Sequence, residues 1–310
     1  MEYLSASLHD NLSSNVLKLL NEVEISTVIQ FLNCESKKIE KVTSLTLKEV
    51  LEIKKKLLKI YSKPISAYDY YQNIISNFAL IPTGIERLDS ILEGGLFTGN
   101  IYEICGLPAS GKSLFCLTVL KNIASKANNS DIMYLDTKYD FLGLKLKQML
   151  TNLNKEEIIA SMSRIQVLRA ITKSEFLKYL LFIKHSADNG KPIKLVIIDS
   201  LPPLCFISSD QTENNAFLCY TANILHYLAK EHNMVIIVTN LITLWNEGDF
   251  KNIDVMKERI SCGTYWSGMP NVRICLKKDK NNCRMTLTKA IKLMPEVNFC
   301  DVKFTEEGFV

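Results

Sequence analysis

The chain has 310 residues, of which 47% are hydrophobic and 23% charged, with a net charge of +4. That balance excludes a disordered or low-complexity chain and predicts one large domain, or one large and one small. The weak positive charge permits nucleic acid as a partner without requiring it.

The nine cysteines are scattered and form no Cys-x-x-Cys pair, so neither a disulfide framework nor a zinc site is expected. Cys105, Cys116 and Cys219 sit in apolar stretches as buried thiols do, which points to a reducing intracellular compartment. Residues 1–12 lack a basic region followed by an apolar run, and no secretory signal is expected. The apolar runs at 195–198 and 234–238 are far shorter than the ~20 residues that span a bilayer, so a soluble protein is expected.

Residues 1–62 contain no glycine or proline and read as a small all-α N-terminal domain. Apolar spacing predicts helices over 15–20, 26–32 and 46–61. Lys54, Lys55, Lys56 and Lys59 lie along the third, as a solvated face or as a phosphate-contacting one. Residues 63–78 read as a linker holding Pro64 and the aromatics Tyr68, Tyr70, Tyr71 and Phe78. Linkers are ordinarily polar, so these rings predict docking, either on the chain's own core or on a partner. In an extended segment Tyr68 and Tyr70 would share one side.

From residue 79 to 310 short β-rich runs alternate with helical stretches. Strands are predicted over 101–105, 131–135, 164–168, 194–199 and 234–239, and helices over 113–124, 141–150, 173–185 and 215–231. This alternation predicts an α/β core with a mostly parallel sheet and helices on both faces. Residues 269–274 and 285–287 read as late antiparallel strands.

Within this core, Gly106-Leu107-Pro108-Ala109-Ser110-Gly111-Lys112-Ser113 fits the phosphate-cradle pattern G-x-x-x-x-G-K-[ST], with a strand before it and an apolar helix after it. The glycines let backbone N–H groups turn in around phosphates, and the helix N-terminus adds its dipole. Lys112 is expected to reach the β- and γ-phosphates of ATP, and the Ser113 hydroxyl to ligate Mg²⁺. Asp199, at the carboxyl end of an apolar strand, is expected to complete the Mg²⁺ site.

The run Pro82-Thr83-Gly84-Ile85-Glu86-Arg87-Leu88-Asp89, then Gly94-Gly95 and Gly99 leading into this loop, resembles the opening of RecA-type recombinase cores. The strands at 195–200 and 234–240, and the small helical domain in front, resemble eukaryotic Rad-type recombinases. The segments 163–168, 239–243 and 259–273 are most similar to the D-type paralogue of that family. The resemblance implies a RecA-like P-loop ATPase core in a nuclear protein. It further implies a subunit of a recombinase paralogue complex that helps load the main recombinase on single-stranded DNA during homologous recombination repair.

Two residues depart from the pattern of the family's active ATPases. Lys138 stands where a glutamate would orient the attacking water, and Leu241 where a glutamine would sense the γ-phosphate. A lysine cannot act as that base and a leucine neither donates nor accepts, so ATP binding with slow hydrolysis is expected. Asp136 is the candidate substitute base beside the catalytic-site residues Lys112 and Asp199. The family's DNA contacts fall in two loops. Residues 201–214 hold no Lys or Arg and suit phosphate poorly. Residues 241–268 mix Lys251, Lys257 and Arg259 with Trp266, as single-strand binders do, although Trp266 reads equally well as a lid residue packed on the core. In the family, the segment matching 63–78 adds to a neighbouring protomer's sheet edge, which implies a partner-binding role for Tyr68 and Tyr70. The alternatives are an autonomous DNA-dependent strand-exchange ATPase and, from another class, a small-molecule P-loop kinase.

Overall fold

The computed structural model describes residues 3–62, 66–77, 79–125, 130–206, 208, 210–246, 256–292 and 294–310, in two compact units, Met1–Ser76 and Asn77–Val310. Among these residues no helix is long and apolar enough to cross a membrane.

The first unit is built from α1 (Ser14–Glu22), α2 (Val28–Asn33), α3 (Ser36–Val42) and α4 (Leu47–Tyr61). Thr27 with Gln30, and Thr46 with Glu49, form capping boxes that start α2 and α4. Val16, Leu20, Phe31, Ile39, Ile53 and Leu57 close a small core. Lys54 donates to the carbonyls of Leu32 and Cys34 and so caps the end of α2 from α4. It is an internal tie rather than part of a solvated row.

The expected extended linker is instead a helix, α5 (Ala67–Asn77). After Pro64 no glycine or proline interrupts residues 65–78, and Ser66 exchanges hydrogen bonds with Asp69 at the helix start. Positions two apart on a helix point to different sides, so Tyr68 and Tyr70 do not share a face. Both rings are well exposed, at 68% and 58%. Residues 63–65 and 78 of the expected linker lie outside the described residues.

The second unit opens with β1 (Leu80–Ile81), α6 (Glu86–Ile91) and β2 (Leu96–Phe97). Its core follows as β3 (Asn100–Gly106), α7 (Lys112–Ala124), β4 (Asp131–Asp136), α8 (Gly143–Met149), α9 (Lys155–Ser163), β5 (Ile165–Arg169), α10 (Lys173–Asp188) and β6 (Ile193–Asp199). Then come α11 (Pro202–Phe206), α12 (Gln211–Glu231), β7 (Val235–Asn246), β8 (Met256–Ile260), α13 (Gly263–Gly268), β9 (Val272–Asp279), β10 (Asn282–Lys289), β11 (Phe299–Thr305) and β12 (Gly308–Phe309). The main sheet runs β12-β11-β10-β9-β3-β7-β6-β4-β5, with β8 paired to the far end of β7. Strands β9, β3, β7, β6, β4 and β5 are parallel to one another, and β10 to β12 are antiparallel.

Strand alternation fills both faces. Leu195, Ile197, Val235 and Ile237 join the core beneath α7, while Val196, Ile198, Ile236 and Val238 join the core beneath α10 and α12. Each such side chain contributes about 1.5–3 kcal/mol on burial, so the parallel strands need apolar residues at every position. The expected late antiparallel pair forms, with Ile274 of β9 opposite Leu287 of β10, but β9 begins at Val272 and has a second, parallel neighbour. β9 runs parallel to β3, with Tyr102 opposite Val272, and turns antiparallel only against β10.

A buried carboxylate ties this region together. Glu103 on β3 accepts from Asn240 Nδ2 at 2.7 Å and Trp266 Nε1 at 2.8 Å, and pairs with Arg273 of β9. Glu103 and Trp266 are fully buried, and Arg273 nearly so. Removing one partner of such a group leaves the other charge unpaired in a dry site. Glu103→Ala is therefore expected to lower stability by about 3–5 kcal/mol, read from guanidinium chloride unfolding of the full chain.

Candidate nucleotide site

Helix α7 begins directly after the loop formed by residues 106–111, with Gly111 left-handed at φ 99°. A side chain there would meet the ring of Phe304 at 2.8 Å and that of Phe309 at 2.8 Å. At Gly106 an added carbon would lie 2.6 Å from the Leu276 carbonyl. Both glycines are required by close packing behind the loop. Sequence reasoning missed that packing, because Phe304 and Phe309 come from the last two strands.

Lys112 Nζ donates to the carbonyls of Gly106 at 2.9 Å and Leu107 at 2.8 Å, so its ammonium bridges the loop. Burial and the neighbouring Lys138 charge lower its pKa. A cleft of about 490 Å³ opens over the loop, lined among others by Lys112, Ser113, Lys138, Phe206 and Leu241. Residues 108–113 of the predicted cradle line this cleft, and both departures, Lys138 and Leu241, face it as well.

Asp199 ends β6 with no exposed surface. Its Oδ2 accepts from Tyr134 at 2.8 Å, and its Oδ1 from Thr239 at 2.6 Å and Lys138 at 3.0 Å. Burial pushes the carboxyl upward, but the Lys138 charge and the hydrogen bonds outweigh it, and the pKa lies below the ordinary carboxylate value. Lys138 Nζ also donates to Ser113 Oγ at 3.0 Å and pairs with Asp140 Oδ2 at 3.1 Å. Burial lowers the pKa of Lys138, while Asp199 and then Asp140 raise it, with a net rise. Ser113 and Asp199, the expected Mg²⁺ ligands, are thus brought together. As a hydroxyl and a carboxylate they suit the ion chemically, but the arrangement does not fit it, because the Lys138 ammonium already bridges the two oxygens.

Asp136 is corrected from substitute base to loop anchor. Its buried carboxylate accepts from the backbone N–H groups of Lys138 at 3.1 Å, Asp140 at 3.3 Å and Phe141 at 3.1 Å. Thr137 exchanges hydrogen bonds with the backbone of Ser200, at 2.5 and 2.9 Å, and locks the same loop to the end of β6. Leu241, like Lys138, lines the cleft, and its amide donates to Asn240 Oδ1 at 2.7 Å.

The expected DNA-contacting residues separate. Trp266 is corrected: it is fully buried, with its ring N–H on Glu103, and is a core residue rather than a stacking platform. Arg259 is exposed on β8, which also carries Lys257, opposite Trp245 of β7. Lys251 lies outside the described residues. The other expected loop is mostly helical, with α11 followed by Asp210 capping α12 through Thr212 and Glu213.

If Asp136 is an anchor, Asp136→Ala is expected to speed amide hydrogen exchange at Lys138, Asp140 and Phe141 and lower the melting temperature, with the α7 amides unchanged. Mass spectrometry or NMR reads this directly.

Residues 75–310 match the Rad51 family model. The DNA repair protein RAD51 homolog 4 of Mus musculus is 28% identical over 287 residues, covering 89% of this chain and 84% of that protein. The DNA repair protein RAD51 homolog 2 of Homo sapiens is 26% identical over 335 residues, covering 96% and 87%. The DNA repair and recombination protein RadB of Methanosphaera stadtmanae is 30% identical over 218 residues, covering 69% and 88%. Relatives of both homolog types match at similar identity, which does not single out the D type. With a family model matched over 75–310 on a RecA-like core, the chain belongs to the Rad51 family.

Proposed function

We propose that the protein binds ATP as a recombinase paralogue in homologous recombination DNA repair in the nucleus. In this reading it acts as one subunit of a paralogue complex that assists recombinase loading on single-stranded DNA. The observation that carries the reading is the pairing of an intact phosphate cradle with Lys138 and Leu241 on the wall of the same cleft. The cradle can hold phosphates through backbone N–H groups and Lys112. Lys138 cannot accept a proton from water while it is an ammonium, and Leu241 cannot sense a phosphate. With Asp136 engaged by three backbone amides, no carboxylate in the loop that carries Lys138 is left for that work except Asp140, which pairs with Lys138. A site that binds and scarcely turns over suits a nucleotide used to hold an assembly together.

Exposed Tyr68 and Tyr70 on α5 support a partner contact through that helix. Lys257 and Arg259 on the β7–β8 hairpin support a DNA contact, with Lys251 of the same loop as a further candidate.

Lys112→Ala is expected to weaken binding of a fluorescent ATP analogue by at least about tenfold. Unchanged affinity removes the cradle from the proposal. Purified protein is expected to turn over ATP far below about 1 s⁻¹, with or without single-stranded DNA. Turnover at or above that rate, stimulated by DNA, would favour an autonomous strand-exchange ATPase. Affinity purification followed by mass spectrometry is expected to recover other recombinase paralogues, and fewer of them from a Tyr68→Ala, Tyr70→Ala variant that still folds.

A further inference from the structure

The cation at the centre of the site is a side chain. Lys138 Nζ meets Asp199 Oδ1 at 3.0 Å, Ser113 Oγ at 3.0 Å and Asp140 Oδ2 at 3.1 Å. An ammonium has three N–H donors and no acceptor, and here each donor has an oxygen. These are hydrogen-bond lengths. A magnesium ion needs the same oxygens at about 2.0–2.1 Å in a near-octahedral shell and gives up its own water reluctantly. The ion and the ammonium cannot share Ser113 Oγ and Asp199 Oδ1, so one must displace the other.

Charge favours the ammonium. Asp199 is fully buried, and an unpaired carboxylate there is costly, so it needs a cation at all times. Lys138 supplies that cation covalently, without the entropy of capturing an ion. Asp199 Oδ1 also accepts from Thr239 and its Oδ2 from Tyr134, which leaves the carboxylate little capacity beyond the lysine. The lysine is itself held in place. Asp136 fixes its backbone N–H at 3.1 Å, and Thr137 ties the loop to Ser200. With Lys112 on the loop carbonyls, two ammonium groups line the cleft where phosphate charge would arrive.

We propose that Lys138 is a built-in cation that takes the place of the divalent ion, so that the protein binds nucleoside triphosphate without magnesium. The inference rests on the nucleotide-binding reading above and adds to it the cation that accompanies the phosphates. It further implies that a variant lacking the ammonium regains a requirement for the metal.

The test is equilibrium binding of a fluorescent ATP analogue to the full chain in magnesium chloride and in excess EDTA, for wild type, Lys138→Ala and Lys138→Glu. Wild-type affinity is expected to differ by less than about threefold between the two buffers, and both variants are expected to lose at least about tenfold in EDTA and recover with magnesium. A wild-type loss of about tenfold or more in EDTA would overturn the inference while leaving nucleotide binding intact. So would a Lys138→Ala variant that binds equally in both buffers. Absence of wild-type binding in both buffers would instead remove the nucleotide reading on which the inference stands. Thermal melting without nucleotide checks that each variant folds, and the wild-type pair of measurements decides the matter even if neither variant does.

Discussion

Placing a fully buried carboxylate at the end of a central strand is the constraint around which the site is organised. Asp199 has to be desolvated, and an uncompensated charge in that position costs several kcal/mol. The compensation comes from both neighbouring strands: Tyr134 from β4 and Thr239 from β7, with Lys138 arriving over the top. Register makes this possible. Asp136 lies opposite Asp199, and Ile198 opposite Val238, so Tyr134 and Thr239 reach the same carboxylate from opposite sides. The strand ends are thereby held level, and the loops that leave them open where ligands bind in open parallel sheets.

Glu103 does the corresponding work deeper in the sheet. It gathers Asn240, Trp266 and Arg273 from three separate segments. Asn240 then carries the arrangement outward, since its side-chain oxygen accepts the amide of Leu241. The inert wall of the cleft is therefore oriented by a buried ion pair on the next strand. Satisfied buried networks of this kind fix one geometry, because every alternative leaves a polar group without a partner.

Much of this was legible in the sequence wherever the determinant is local. The cradle from Gly106 to Ser113 is a short motif, and its strand, turn and helix follow from adjacent residues. The apolar runs of β6 and β7 announce strands buried on both faces. What stayed hidden depends on distant partners. Parallel pairing of β9 with β3 joins segments about 170 positions apart, and nothing within residues 269–274 encodes its direction. Trp266 reads from the sequence as either a stacking ring or a packed lid residue, because Glu103, which accepts its ring N–H, lies elsewhere in the chain. Lys138 was readable as a missing base, but its three acceptors come from residues 113, 140 and 199, and only the folded sheet brings them together. Helix α5 was hidden for a different reason: four large aromatics near a proline resemble a docking segment, while the missing helix breakers were the stronger signal.

Residues 201–214 hold no basic residue, and their two acidic residues are spent internally. Asp210 caps α12, and Glu213 pairs with Lys173 at 2.6 Å. A phosphate backbone approaching there would meet carboxylates and a helix N-terminus already satisfied. The β7–β8 hairpin differs in construction. Over Ile242–Asn246, β7 pairs among the described residues with β8, the strand on which Lys257 and the exposed Arg259 lie. Trp266 is drawn into the core, while on that hairpin Trp245 lies opposite Lys257 in the strand register. That register sets an aromatic residue type opposite a cationic one, the mix that binders of unpaired strands use for stacking and for phosphate contact. In the proposed reading, such a contact would hold single-stranded DNA without reading its sequence.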